Sequence, residues 1–337
     1  MENATFPIEI FCVIIDSVAD SRPGLQNCSL VCKAFVPICR QQLFNCISFQ
    51  LNVDVDRERI TKLAHVLDAN PSLGAYIHHI DATCYSWTDS RAAYGPGSLT
   101  PAALIALPSH IPHLRHLSLV IWRADMDYNE CRGEVFGLCM LLKRFLELQS
   151  PAGNLQTMEI LGIDNLPMHK ILSVGTLTDL TIGNCIMQSN RLIARAVYPL
   201  AVVLNFAESR VPLNRTLKSL CFYSVDNLDP FICFMVPCLE NLSIGRTTFA
   251  VEDISPLPPS ASPCIQVPVD SEPCFNHMHS IRCWGKVEWT RLCRFAAAAG
   301  KKAFPVLKVL TFEDGYTGHP VLLENMFSGE ILMRFVA

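Results

Sequence analysis

A six-residue apolar pattern, L-x-x-L-x-L, constrains this chain more than any other feature of its sequence. Ile, Met, Phe, Ala or Cys stands in at some positions. Eight copies occur: Ile77-Ile80-Ala82, Leu114-Leu117-Leu119, Leu155-Met158-Ile160, Leu177-Leu180-Ile182, Leu217-Leu220-Phe222, Leu239-Leu242-Ile244, Met278-Ile281-Cys283 and Leu307-Leu310-Phe312. Their first positions are 37, 41, 22, 40, 22, 39 and 29 residues apart. The alternation at the end of each copy has the period of a strand, with two apolar residues turned into a core. A repeat of this kind predicts similar strands set side by side, each contacting its neighbours.

Helical patterns fill several of the intervals. Thr100–Leu107 opens with a capping Thr100 and Pro101, and Glu134–Gln149 carries a broad apolar face. Arg191–Asn205 is a weaker helix interrupted at Pro199, and Thr290–Ala299 is Ala-rich and ends before Phe304-Pro305. Strand, loop, helix and strand in one direction give parallel strands with helices outside them, an α/β architecture. Two of the intervals, of 22 residues each, lie well within the length of a leucine-rich repeat, the last, of 29, is at its upper limit, and four are roughly double it. Residues 49–337 therefore resemble a divergent, irregular leucine-rich-repeat solenoid. A doubly wound α/β domain is the alternative, although the spacing recurs too often for unrelated buried strands. Residues 251–274 break the pattern with Pro256, Pro258, Pro259, Pro263, Pro268 and Pro273, and read as an extended surface loop, an insert rather than a functional element.

Composition narrows the function classes. Half of the 337 residues are hydrophobic and 17% are charged, the reverse of a disordered chain. A net charge of −4 offers no electrostatic grip on a nucleic-acid backbone. No window of 18 apolar residues exists, and the longest candidate, Ala196–Ala207, is short and contains Pro199, so no membrane span is expected. Glu2, Pro7 and Glu9 interrupt what a signal peptide would need. The sixteen cysteines are therefore expected in a reducing compartment, cytoplasm or nucleus, as small buried side chains. Cys32, Cys185 and Cys283 fall on core positions. The sequons at Asn3, Asn27, Asn214 and Asn241 read as chance matches.

Residues 5–46 have a different, helical period. Thr5 can cap a first helix with Pro7 and Glu9 in its first turn. Ile10, Ile14 and Val18 then form a stripe, with Phe11 and Ile15 beside it. Asp20 to Gly24 is a turn, and Pro23 opens a second helix carrying Leu25, Cys28, Cys32 and Phe35. Pro37 marks a break before a third helix with Ile38, Gln42 and Leu43, and Cys46 to Leu51 alternates like a strand. Three short helices cannot cover this much apolar surface. It packs either on the rest of the chain or on a partner helix.

The same residues carry a resemblance to the F-box. That family's pattern is Leu-Pro-x-Glu-Leu/Ile, then Ser-Leu-Val-Cys-Lys/Arg-x-Trp, then a basic residue before Leu-Phe. Pro7, Glu9 and Ile10 match the first block, Ser29, Leu30, Val31, Cys32 and Lys33 the second, and Arg40, Leu43 and Phe44 the third. Phe6 stands where Leu is usual and Phe35 where Trp is usual; both keep a large apolar group. The resemblance covers residues 1–48 and is greatest to the expanded F-box families of mushroom-forming fungi. It implies a three-helix head that docks a Skp-family adaptor through Phe6, Pro7, Ile10, Ile14, Leu30, Val31 and Phe35.

Signatures of chemistry are missing. The sequence contains no P-loop, G-x-G-x-x-G, G-x-S-x-G or H-E-x-x-H motif. Cys274, His277, His279 and Cys283 have zinc-like chemistry but not a paired-knuckle spacing, and Cys283 sits on a core position, so a buried thiol is expected there. Cys28 and Cys32 lie in the head motif and are not read as a redox pair. His78, His79 and Asp81 resemble fragments of a catalytic site, with no nucleophile that spacing can pair to them. No cofactor or metal is implied.

A binding surface remains. If the later apolar residues of each copy face inward, their neighbours line the concave face of the sheet, where Tyr223, Arg282 and Trp284 are the candidate anchors for a target. A solvated face without any ligand is the other reading. Together with the resemblance, this implies a non-enzymatic target receptor of an SCF-type cullin–RING ubiquitin ligase, reaching the cullin scaffold through the adaptor. The alternative of another class is a leucine-rich-repeat scaffold or inhibitor independent of ubiquitin ligases.

Overall fold

A computed structural model describes residues 7–50, 54–84, 101–122, 126–128, 136–149, 153–187, 214–226, 236, 238–245, 247, 278–284, 309–313 and 332–336. Three helices come first: α1 (Ile8–Asp16), α2 (Arg22–Val31) and α3 (Phe35–Asn45). Pro7 occupies the N-cap of α1 and makes no side-chain cap bond, while Glu9 lies in the first turn, favoured by the helix dipole. Thr5 is outside the described residues. Ser21 caps α2, its Oγ accepting from the Gly24 N–H at 3.1 Å, and Pro23 opens the helix as expected.

Two expectations for these helices need correction. The second helix stops at Val31, because Cys32 is extended (φ −154°, ψ 156°), so Cys32 is half-buried rather than in the core. Pro37 breaks nothing. It sits in the first turn of α3, where a missing N–H leaves no intrahelical bond unmade. Ile15, Leu25 and Cys39 form a small buried core, lined by Val18, Cys28, Phe35, Ile38 and Leu43. Phe11 and Phe35 meet edge-on at 5.1 Å, and Gln42 Nε2 donates to Asp16 Oδ1 at 3.0 Å, tying α3 to α1.

The chain passes from α3 directly into β1 (Cys46–Gln50), so residue 48 lies within a strand. Helix α4 (Asp54–Ala69) and a 3-10 turn (Pro71–Tyr76) lead to β2 (His79–Cys84). After α5 (Pro101–His110) come β3 (His116–Ile121), the short β4 (Met126–Asp127) and α6 (Phe136–Gln149). Then follow β5 (Thr157–Leu161), the short β6 (Ile163–Asp164), α7 (Met168–Ile171), β7 (Asp179–Ile186) and β8 (Ser219–Asp226). The last strands are β9 (Asn241–Gly245), β10 (Ser280–Trp284), β11 (Val309–Glu313) and β12 (Leu332–Val336).

Ten of these strands form one sheet in the order β1-β2-β3-β5-β7-β8-β9-β10-β11-β12, and every pairing is parallel. The order never reverses, whereas a doubly wound sheet is defined by such a switch. The protein is thus α/β with a parallel sheet that follows the chain. Register aligns the repeat: Ile80, Leu117, Met158, Leu180, Leu220, Leu242, Ile281 and Leu310 are paired strand to strand. Each described side chain of the eight copies is at most 5% exposed. They share one core with Ile60 and Leu67 of α4, Leu107 of α5, and Leu141, Leu142 and Phe145 of α6, so these helices close the inner face. The expected helices at 100–107 and 134–149 are matched by α5 and α6 over their described residues, while Thr100, residues 134–135, Arg191–Asn205, Thr290–Ala299 and the Pro-rich stretch 251–274 lie outside them.

Left-handed residues bend three neighbouring strands at one level: Gly162 (φ 74°) after β5, Asn184 (φ 50°) in β7 and Ser224 (φ 49°) in β8. Each bend turns one more apolar residue inward, Ile163, Cys185 and Val225, all buried. A Cβ on Gly162 would lie 2.1 Å from the carbonyl oxygen of Ile121. Gly162→Ala is therefore expected to lose at least about 1–3 kcal/mol through backbone strain alone. Thermal denaturation measures it, and an unchanged midpoint would mean that the bend is not needed.

Candidate functional site

Two surfaces are built but not consumed by folding. The first is on the N-terminal helices. Five of the nine large apolar side chains exposed among the described residues are there: Ile10 at 45%, Val13 at 67%, Ile14 at 44%, Leu30 at 84% and Val31 at 72%. The cause is local. Helix α1 is apolar on nearly every side, and of its described side chains only Ile15 joins the buried core with Leu25 and Cys39. The end of α2 projects Leu30 and Val31 into water just before the backbone turns extended at Cys32. Of the seven residues expected to meet an adaptor, Pro7, Ile10, Ile14, Leu30 and Val31 are exposed. Phe35 is half-buried in the helices' own core, and Phe6 is outside the described residues.

The second surface is the outer face of the sheet. Its residues line up in rows across the strands. One row runs Cys46, His79, His116, Thr157, Asp179, Ser219, Asn241, Ser280. The next runs Ser48, Asp81, Ser118, Glu159, Thr181, Cys221, Ser243, Arg282. Polar neighbours satisfy one another: Ser118 Oγ donates to Glu159 Oε2 at 2.7 Å, and Ser280 Oγ to Asn241 Oδ1 at 2.6 Å. A third row contains Gly183, Tyr223, Gly245 and Trp284.

The three candidate anchors thus fall on β8 and β10, on the same side by register. Tyr223 is half-buried because its ring covers Gly183, where a Cβ would lie 2.6 Å from the ring. Burial, followed by the charge of Glu159 and then Cys221 and Cys185, pushes the Tyr223 hydroxyl up to about 12, so it stays a neutral donor. Arg282 is exposed, and its charge reaches Cys221, whose thiol is nevertheless held up mainly by burial. Trp284 is placed by backbone register only.

At the β1 end of the face, the structure brings Cys46 to the histidine and aspartate noticed in the sequence. His79 Nε2 is 2.9 Å from Asp81 Oδ1, and the Cys46 thiol donates to Asp81 Oδ2 at 3.8 Å. The His116 ring lies 5.3 Å from that of His79, tilted by 32°. This is not the order of a thiol nucleophile and its base. The carboxylate lies between thiol and imidazole, and burial, then the Asp81 charge and its hydrogen bond, push the Cys46 thiol up. Nucleophilic cysteines need the opposite shift. Cys46 escaped the sequence reading, although Phe44-Ile47-Phe49 is a further copy of the repeat that sets Cys46 beside His79.

Other clusters noted in the sequence lie partly outside the described residues. Cys274 and His277 lie outside the described residues, His279 is exposed, and nothing is described of the Cys283 side chain. Asn214, one of the sequons, is buried: its Nδ2 donates to the Val174 carbonyl at 2.9 Å, and its Oδ1 accepts from the Thr216 and Leu217 amides. Among the described residues no helix is long and apolar enough to cross a membrane. Neither a protein-family model nor a curated protein matches the chain.

Proposed function

We propose that this protein is the target-recognition subunit of an SCF-type cullin–RING ubiquitin ligase, with an F-box head and a leucine-rich-repeat solenoid. One observation carries the reading. Ile10, Leu30 and Val31, which match the F-box pattern, are among the nine large apolar side chains that the fold leaves exposed among the described residues. Their exposure leaves apolar surface in water, whereas burial in a partner would recover about 1.5–3 kcal/mol for each. The repeat reading draws support from Leu177, Leu180, Ile182, Cys185 and Met187, which are all buried and fit the spacing L-x-x-L-x-L-x-x-C-x-L of a leucine-rich repeat.

In this reading the head docks a Skp-family adaptor and, through it, the cullin scaffold. The outer sheet face holds the target, with Tyr223, Arg282 and Trp284 as anchors. The chain works in the cytoplasm or nucleus, positions rather than catalyses, and needs no cofactor. Co-expression of the full chain with a Skp-family adaptor tests it. A stoichiometric complex on size-exclusion chromatography is expected. A monomeric, folded chain beside free adaptor would remove the ligase assignment and leave a repeat scaffold that binds through the sheet face alone.

A further inference from the structure

We infer that Cys46, His79 and Asp81 form a binding site for a single zinc-class divalent cation at the β1 edge of the sheet. The inference stands on the geometry of the sheet and is independent of the ligase reading. Cys46 and His79 are direct partners across the parallel β1–β2 ladder, and Asp81 is two residues beyond His79, on the same face of β2. One donor atom from each lies within 4.8 Å of the other two. Bonds to zinc of about 2.0–2.3 Å set tetrahedral ligands roughly 3.3–3.8 Å apart. The three donors are thus close to bonding positions already, and all belong to side chains that retain solvent access.

The donor set selects the ion. A thiolate and an imidazole favour zinc and its soft neighbours over magnesium or calcium, which take oxygen ligands. Thiolate and carboxylate together carry two negative charges, which a dication balances. Binding replaces the hydrogen bonds that now converge on Asp81 and releases the thiol proton of Cys46 to solvent. Three protein ligands leave a fourth tetrahedral position for water or for a donor atom on a molecule lying on the sheet. Because Cys46 directly follows α3, the ion would tie the strand that carries the N-terminal helices to β2, its neighbour in the sheet.

Cobalt(II) titration of the full chain, kept reduced by a phosphine, tests the site. A thiolate-to-cobalt charge-transfer band saturating at one equivalent, and displaced by zinc, is expected. The band should vanish in Cys46→Ser. His79→Gln, which leaves all sixteen cysteines in place, should weaken cobalt binding by about tenfold or more. Circular dichroism verifies that both variants fold. Absence of the band in the native chain, its survival in Cys46→Ser, or unchanged affinity in His79→Gln would each overturn the assignment.

Discussion

Phe222→Ala is expected to destabilise the protein by about 3–5 kcal/mol. Phe222 is fully buried and one of the two largest such side chains described, the other being Phe145. It lies in β8, paired to Ile182 of β7 on one side and Ile244 of β9 on the other. Truncation loses the transfer free energy of the ring and leaves a cavity. Ladders on both sides hold the backbone, so the walls cannot collapse into it. Ser219→Ala, on the outer face of the same strand, should change stability by no more than about 0.5 kcal/mol. Urea denaturation of the two variants measures the contrast. Equal midpoints would mean that inner and outer faces are exchanged, the result of a one-residue slip.

Leu30→Ala combined with Val31→Ala should have the larger effect on function and almost none on the fold. Both side chains are exposed, so their loss leaves no cavity. If each contributes about 1–2.5 kcal/mol to the adaptor interface, the pair supplies about 2–5 kcal/mol. That is a weakening of roughly 30-fold to a few thousand-fold. Titration calorimetry of the full chain against the adaptor reads the affinity, and a thermal melt confirms the unchanged fold. Retained affinity would place docking elsewhere. Phe35→Ala makes a useful contrast: its ring packs on Phe11 and on the helices' core, so it should lower the melting temperature as well.

The sheet was legible because strand pairing repeats one short apolar spacing, and the spacing alone sets which residues are buried. Where the spacing is incomplete, elements were missed. Strand β12 pairs Met333 with Leu310, yet the residue three before Met333 is Glu330, so no copy was visible. Helix α4 buries Ile60, Ala64 and Leu67, but a small Ala64 and the charged stretch from Asp54 to Arg59 conceal its stripe. The N-terminal helices were legible as helices and not as surfaces. When α1 is apolar on nearly all sides, periodicity cannot choose the inward face, and only contact with Leu25 and Cys39 does so. The Cys46–His79–Asp81 cluster was half visible for a related reason. Two of its members share a strand, but the third arrives from 35 residues away, through a register that no local pattern encodes.

Strand order that follows chain order also bears on how the protein is made. A sheet with a reversal must hold some strand unpaired until a later segment arrives to fill the gap. Here the earlier neighbour of every strand after β1 in the main sheet has already left the ribosome when that strand emerges. Synthesis can therefore add the sheet one layer at a time to an edge that the N-terminal helices have begun, each strand finding its earlier neighbour already made.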